Sequence, residues 1–142
     1  KIWKFIDSSY IPIDWQLDFK SGYRWSEKTW YKNIVHSHKK GVDIKVPWEL
    51  ARMQHLPQMA LECSVLSEDL EQKQLLKKEF RNQILDFIAT NPPRYGANWA
   101  CPMDISIRAA NCLIAYDLIT SSGFSFDDNF KKIFGEKFIR ML

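Results

Sequence analysis

Apolar side chains recur at helical spacing through most of this chain and fail to do so near its beginning. From about Pro47 to Ser64, at 100° per residue, Leu50, Met53, Leu56, Ala60 and Leu61 share one arc. Trp48, Arg52, His55 and Met59 share another. Pro47 suits the first helical position, where its missing N–H would have no partner anyway. Pro57 lies inside the pattern and should kink or split the helix. A second helix is predicted from about Ser67 to Thr90. Its apolar stripe is Leu76, Phe80, Ile84, Phe87 and Ile88, opposite Lys73, Lys78 and Asn82, which describes a surface helix with one buried side. Pro92, Pro93 and Gly96 make 91–99 a loop. A third helix starts near Pro102 and ends near Ser121. Its apolar residues, from Met103 to Ile119, go nearly all the way round, the pattern of a helix buried in a larger helical body. A short fourth helix from about Asp127 carries Phe130, Ile133, Phe134, Phe138 and Leu142 on one side.

Before these helices the pattern is different. Ile11-Pro12-Ile13-Asp14-Trp15 and Ser21-Gly22-Tyr23-Arg24-Trp25 read as turns and extended pieces, and Ser37 to Gly41 as a solvated turn. No alternation of period two is sustained, so no substantial sheet is expected. The chain is therefore expected to be all-α. An aromatic-rich irregular arm over 1–45 leads into helical hairpins over 46–142, with helices alternating between outer and inner positions.

Composition narrows this picture slightly. At 142 residues and 46% hydrophobic content the chain is long and apolar enough for one small domain with a core. Aromatic residues reach 14%; most should pack, although Trp and Tyr also form platforms for sugar rings. The net charge of +3, from 20 basic and 17 acidic residues, is too balanced to point to nucleic acid. It is compatible with an acidic polymer without arguing for one. No apolar run approaches the roughly 18 residues of a membrane span, and Lys1 to Phe5 lacks the apolar core of a secretion signal. Three cysteines leave at least one thiol free, and no pair has CxxC spacing; Cys63 and Cys112 read as small core residues. His36 and His38 lack companion ligands, so neither a metal nor a cofactor is expected.

Three groups of residues are candidates for chemistry. Asp104, Arg108 and Asn111 fall in one narrow stripe of the third helix, flanked by apolar residues. Buried charges must be paired, so the stripe is either an internal network holding the helix in register or a polar strip lining a ligand groove. In the groove reading, Arg108 would grip acidic groups with its forked donors. In the first helix, Glu49 and Arg52 are neighbours at i, i+3. Glu49 projects toward the apolar side, which makes Arg52 its natural partner, and His55 stands on the Arg52 side. This group is either a packing salt bridge or a groove wall presenting Trp48, Arg52 and His55. Asn98 and Trp99 end the proline-rich loop, where Trp99 either stacks on a sugar or lids the helix end.

The segment Gly41-Val42-Asp43-Ile44-Lys45-Val46-Pro47-Trp48-Glu49-Leu50-Ala51-Arg52-Met53-Gln54-His55-Leu56 resembles the D-I-K-x-P-W-E-L-x-R-x-Q-H-L segment of heparinase II/III-like proteins. Asn91-Pro92, followed by Gly96-Ala97-Asn98-Trp99 and then Met103, Arg108 and Asn111, resembles that family's N-P…G-x-N-W-x-x-x-M-x-x-x-x-R-x-x-N segment. Trp15 to Asp18 and Tyr23 to Trp25 are similar to the region preceding the first segment. The resemblance covers most of the chain and is weakest after about residue 120.

This resemblance implies an incomplete (α/α) toroid followed, in the parent polypeptide, by a β-sandwich domain. It implies a lyase that cleaves uronic-acid-containing polysaccharides by β-elimination. That reaction needs a group to neutralise the sugar carboxylate, a base for the C5 proton and an acid for the leaving oxygen. The family supplies these from an Asn-His segment and from later toroid and β-domain positions that this chain does not contain. No catalytic role is therefore carried over, and the chain is expected to be inactive alone. Trp48, Arg52, His55, Asn98, Trp99, Asp104, Arg108 and Asn111 are expected as groove or scaffold residues. The implied partners are an acidic polysaccharide and the remainder of the parent. Nucleic acid and a membrane span are not expected. Faces of inner helices left open would favour self-association. The resemblance implies a bacterial periplasmic or secreted setting, with a cytoplasmic one left open. The alternatives are a non-catalytic carbohydrate-binding module and a protein-interaction module. A DNA-binding helix-turn-helix is disfavoured by the apolar third helix.

Overall fold

The computed structural model describes residues 1–36, 39–66 and 68–138. The protein is mostly helical, as the periodicity predicts. Helix α1 spans Lys45–Ala51, α2 His55–Leu61, α3 Leu70–Thr90, α4 Pro102–Ser121 and α5 Asp128–Ile133. π-Helical turns extend α2 over Glu62–Leu66 and α5 over Phe134–Phe138. Short 3-10 turns occupy Ile2–Phe5, Tyr31–Asn33 and Ala97–Trp99. Strands β1 (Leu17–Asp18) and β2 (Tyr23–Arg24) form a two-residue antiparallel pair with Leu17 opposite Arg24. Ser37, His38, Ser67 and Leu142, which figure in the expectations above, lie outside the described residues. Among the described residues, no helix is long and apolar enough to cross a membrane.

The first predicted helix is indeed divided, but before Pro57 rather than at it. α1 ends at Ala51, and Met53 adopts φ = 56°. Met53 thus takes the left-handed position just past a helix end that glycine usually fills. Its N–H bonds the Leu50 carbonyl at 3.0 Å. Pro57 then falls in the first turn of α2, where a missing N–H breaks no bond. Pro47 likewise sits in the first turn of α1, which begins two residues earlier than its proline suggests.

α3 departs from the surface helix expected. Asp69 caps its start by accepting from the backbone N–H groups of Glu71 and Gln72. Its C-terminal half is buried all round: Phe80 and every residue from Asn82 to Ile88. The N-terminal segment covers the polar side that should have faced water. The Asn82 side chain donates to Asp7 Oδ2 at 2.8 Å, and Asp86 receives three donors from Tyr10, Ile13 and Trp15.

α4 packs chiefly on α2 and buries Asp104, Arg108, Cys112, Ala115 and Ile119. The expectation that it is enclosed on all sides is not met. Met103 is 57% exposed, Leu113 42% and Ile114 52%. Beyond α4 the apolar stripe of the last helix packs as predicted. Phe130, Ile133, Phe134 and Phe138 are all buried. Tyr116 stacks on Phe134 at 4.8 Å between centroids, and Phe134 on Phe138 at 5.0 Å. Each such phenyl ring contributes on the order of 1.5–3 kcal/mol by burial alone. Cys63 and Cys112 are buried core thiols, and burial pushes the Cys112 thiol up to about 12.

Candidate functional site

The end of α1 leaves carbonyl groups without helical partners, and α4 supplies the donors for them. Arg108 Nη1 donates to the Ala51 carbonyl at 3.2 Å, and Asn111 Nδ2 to the Arg52 carbonyl at 2.8 Å. The other arm of the guanidinium, Nη2, donates to the Asn98 carbonyl at 3.0 Å. Arg108 is 1% exposed, and its guanidinium packs on two rings, 4.6 Å from the Phe87 centroid and 5.0 Å from that of Trp99, which also meet each other at 6.3 Å. Burial lowers its pKa to about 10, against the opposing field of Cys112 and Asp104, so it stays protonated at neutral pH.

Asp104, also 1% exposed, accepts from Arg52 Nε across the helix break. The pair predicted between Glu49 and Arg52 therefore does not form. Glu49 is exposed rather than turned inward, and Arg52 pairs instead with Asp104 on α4. Nor is Asp104 hydrogen-bonded to Arg108; both reach the end of α1, Asp104 at the Arg52 side chain and Arg108 at the Ala51 carbonyl. Asp104 Oδ2 has no hydrogen-bond partner among the described residues.

Asn98 and Trp99 lie inside the molecule rather than at a mouth, 1% and 6% exposed. Asn98 Nδ2 donates to the Trp15 carbonyl at 2.8 Å and to Asn91 Oδ1 at 2.9 Å. Gln16 completes this amide cluster: its Nε2 donates to Asn91 Oδ1, and its Oε1 accepts from the Ala97 N–H, both at 2.9 Å. The loop turns at Gly96, whose φ is +84°. A Cβ there would come within 2.6 Å of the Gln16 amide, so the position needs glycine both for its backbone and for its closeness. Trp99 thus packs on Phe87 and the Arg108 guanidinium and is closed to a sugar.

Trp48, Arg52, His55 and Asn111 remain partly exposed. The Trp48 Nε1 donates to the Ala97 carbonyl at 2.8 Å, and the ring meets His36 edge-on at 5.3 Å. His55 Nε2 lies 2.7 Å from Gln83 Oε1. Gln83 gives its amide nitrogen to Glu79, so its oxygen faces His55, which donates from Nε2. The eight predicted residues are thus gathered around one helix break, but four of them are buried and engaged. Only Arg52, His55, Asn111 and the edge of Trp48 could meet a ligand. Among the described residues, no group of three or more His, Cys, Asp or Glu side chains is arranged to hold a metal.

Sequence reasoning missed two clusters that fix the N-terminal segment. Asp86 is fully buried, and its Oδ2 accepts from Tyr10 Oη and the Ile13 N–H at 2.9 Å and from Trp15 Nε1 at 3.2 Å. Burial raises its carboxyl above the ordinary value, and these donors only partly oppose that. Asp18 accepts from the Ser21 hydroxyl and from the N–H groups of Lys20, Ser21 and Asp43. The Ser21 hydroxyl, with the backbone donors, lowers its carboxyl to about 2. The Asp18-Phe19-Lys20-Ser21 turn had a legible signal, an Asx turn, whereas Asp86 sat unnoticed in a helix pattern.

A scan of the chain against family models found no match, and neither did searches of curated proteins and of solved structures.

Proposed function

We propose that this chain is the N-terminal helical part of a heparinase II/III-type polysaccharide lyase. It acts as scaffold and as one wall of the groove for a uronic-acid-containing glycan, with catalysis residing elsewhere in the parent. The observation that carries the reading is the meeting of the two motif segments. Residues about 50 positions apart in sequence join in one interlock: Arg52 with Asp104, and Arg108 and Asn111 with the carbonyls that end α1. Motif residues that secure one another behave as a scaffold module. The partly exposed Arg52 and His55 then form the available part of a groove wall.

In this proposal α2 and α4 are neighbouring members of an incomplete (α/α) toroid. The exposed Met103, Leu113 and Ile114 are the flank on which a further helix of the parent packs. The same flank favours a second reading, a protein-interaction module whose partner covers it. A bacterial periplasmic or secreted setting goes with the lyase reading.

The test is to incubate the parent polypeptide with polyuronates and follow the ultraviolet absorbance of newly formed unsaturated uronic ends. Absorbance should rise with the parent and stay flat with this chain alone. Binding of polyuronates by the parent without any such rise would reject the lyase reading.

A further inference from the structure

We propose that a lysine-rimmed cleft between the N-terminal 3-10 turn and α5, remote from the motif residues, is a binding site for an acidic polysaccharide. The cleft encloses about 310 Å³. Ile2, Phe5 and Ile133 form its apolar floor, and Lys1, Lys4, Lys132 and Lys137 stand around it with Glu136 as the one acidic lining residue. Four lysines against one glutamate leave a local excess of three positive charges. That equals the formal net charge of the whole chain, so the remaining charged side chains sum to zero. None of these lysines has a carboxylate partner among the described residues.

In the neighbouring cleft, which shares Phe5, two of the three cations are paired with carboxylates, and the third, Lys77, lies over Phe124 and Phe126. There Lys78 pairs with Asp7 at 3.5 Å and Arg81 with Asp127 at 2.6 Å. The unpaired lysines are free to meet an anion, and their flexible point charges suit a repeating polyanion better than one planar group. The floor decides which polyanion. Lys4 Nζ lies 4.8 Å from the centre of the Phe5 ring, so that face is taken and offers no platform for a nucleobase. The remaining floor is aliphatic, which accepts the C–H face of a sugar ring. A concave site is also a poor fit to a flat lipid surface.

The choice of an acidic glycan rests on the lyase reading above, but the two fail separately. The experiment is a titration of this chain with oligomeric alginate, with dextran, single-stranded DNA and anionic phosphatidylserine vesicles in parallel. It uses the wild type, the triple variant K4A/K132A/K137A and K28A, an exposed lysine outside both the cleft and the motif residues. All three lysines of the triple variant are exposed, and circular dichroism checks that the variant folds. The expected result is salt-sensitive binding of alginate, no binding of dextran, and affinity weakened about tenfold in the triple variant but not in K28A. Alginate binding unchanged in the triple variant, no alginate binding by the wild type, or tighter binding of DNA or vesicles through these lysines would each overturn the proposal. If the lysines are required while the parent yields no unsaturated ends, the cleft stands and the lyase reading falls.

Discussion

Two buried polar assemblies hold this protein together, and they solve the same problem in opposite ways. Around Arg108, a buried cation has two carbonyl acceptors, two aromatic rings beside it and the Asp104 carboxylate nearby, itself bonded to Arg52 through one oxygen. Around Asp86, a buried carboxyl has only neutral donors, all on one oxygen, and its Oδ1 is without a hydrogen-bond partner. The difference teaches that burial alone does not set the behaviour of an ionisable group. A compensated charge acts as a permanent rivet, whereas an uncompensated carboxyl is held in place at a cost that varies with pH. Trp15 and Asn98 join the two: Trp15 donates to Asp86, and its carbonyl accepts from Asn98, whose own carbonyl accepts from Arg108.

The largest effect should come from Arg108→Ala. It frees the carbonyls of Ala51 and Asn98 and opens a void beside Phe87 and Trp99, lowering stability by about 3–5 kcal/mol in denaturant unfolding. Asp86→Ala comes next, leaving Tyr10, Ile13 and Trp15 donors unmet, at about 2–4 kcal/mol. Gly96→Ala strains the link between the assemblies through φ and through the Gln16 contact, at about 1–3 kcal/mol, and its effect should fall with Gln16 shortened to Ala.

A subtler break concerns pH. The Asp86 carboxyl lies above its ordinary value of 3.8 in the folded protein. Its contribution is therefore complete below that value and is lost as pH rises through the raised one. Asp18 and Asp127 run the other way: their carboxyls are depressed, so their contribution is present above the ordinary value and is lost as acid reaches the lowered ones. Thermal melting across the acid range should show Asp86→Asn declining less than wild type as pH rises from 3.8 toward neutrality. Parallel curves for the two proteins would remove the Asp86 half of the comparison. The smallest effect expected is Asn111→Ala, about 1 kcal/mol for one carbonyl bond at a partly exposed position.

Helix existence and the aromatic stripe of α5 were legible because period and burial agree there. The polar stripe of α4 was legible as a stripe, and its two readings stayed open because sequence cannot show what a side chain faces. The structure turns it toward the α1 terminus, a target invisible until the break at Met53 is known. That break was misplaced to Pro57 because a non-glycine residue in the left-handed region leaves no sequence signal. The buried side of α3 was missed because Asn82 and Asp86 look like solvent positions until the N-terminal segment folds over them. The lysine cleft was beyond reach of spacing, since Lys4 and Lys132 are neighbours only in three dimensions.

The central claim is that the Asp104–Arg108–Asn111 stripe is an internal clamp on the helix break, and Arg108→Lys tests it most directly in a urea unfolding curve. Lysine keeps the charge but loses the fork that reaches both carbonyls and the planar contact with the Phe87 and Trp99 rings. The midpoint should fall by the equivalent of about 2–4 kcal/mol. A midpoint equal to that of the wild type would contradict the claim, since Arg108 would then be dispensable to the fold and free to serve a ligand.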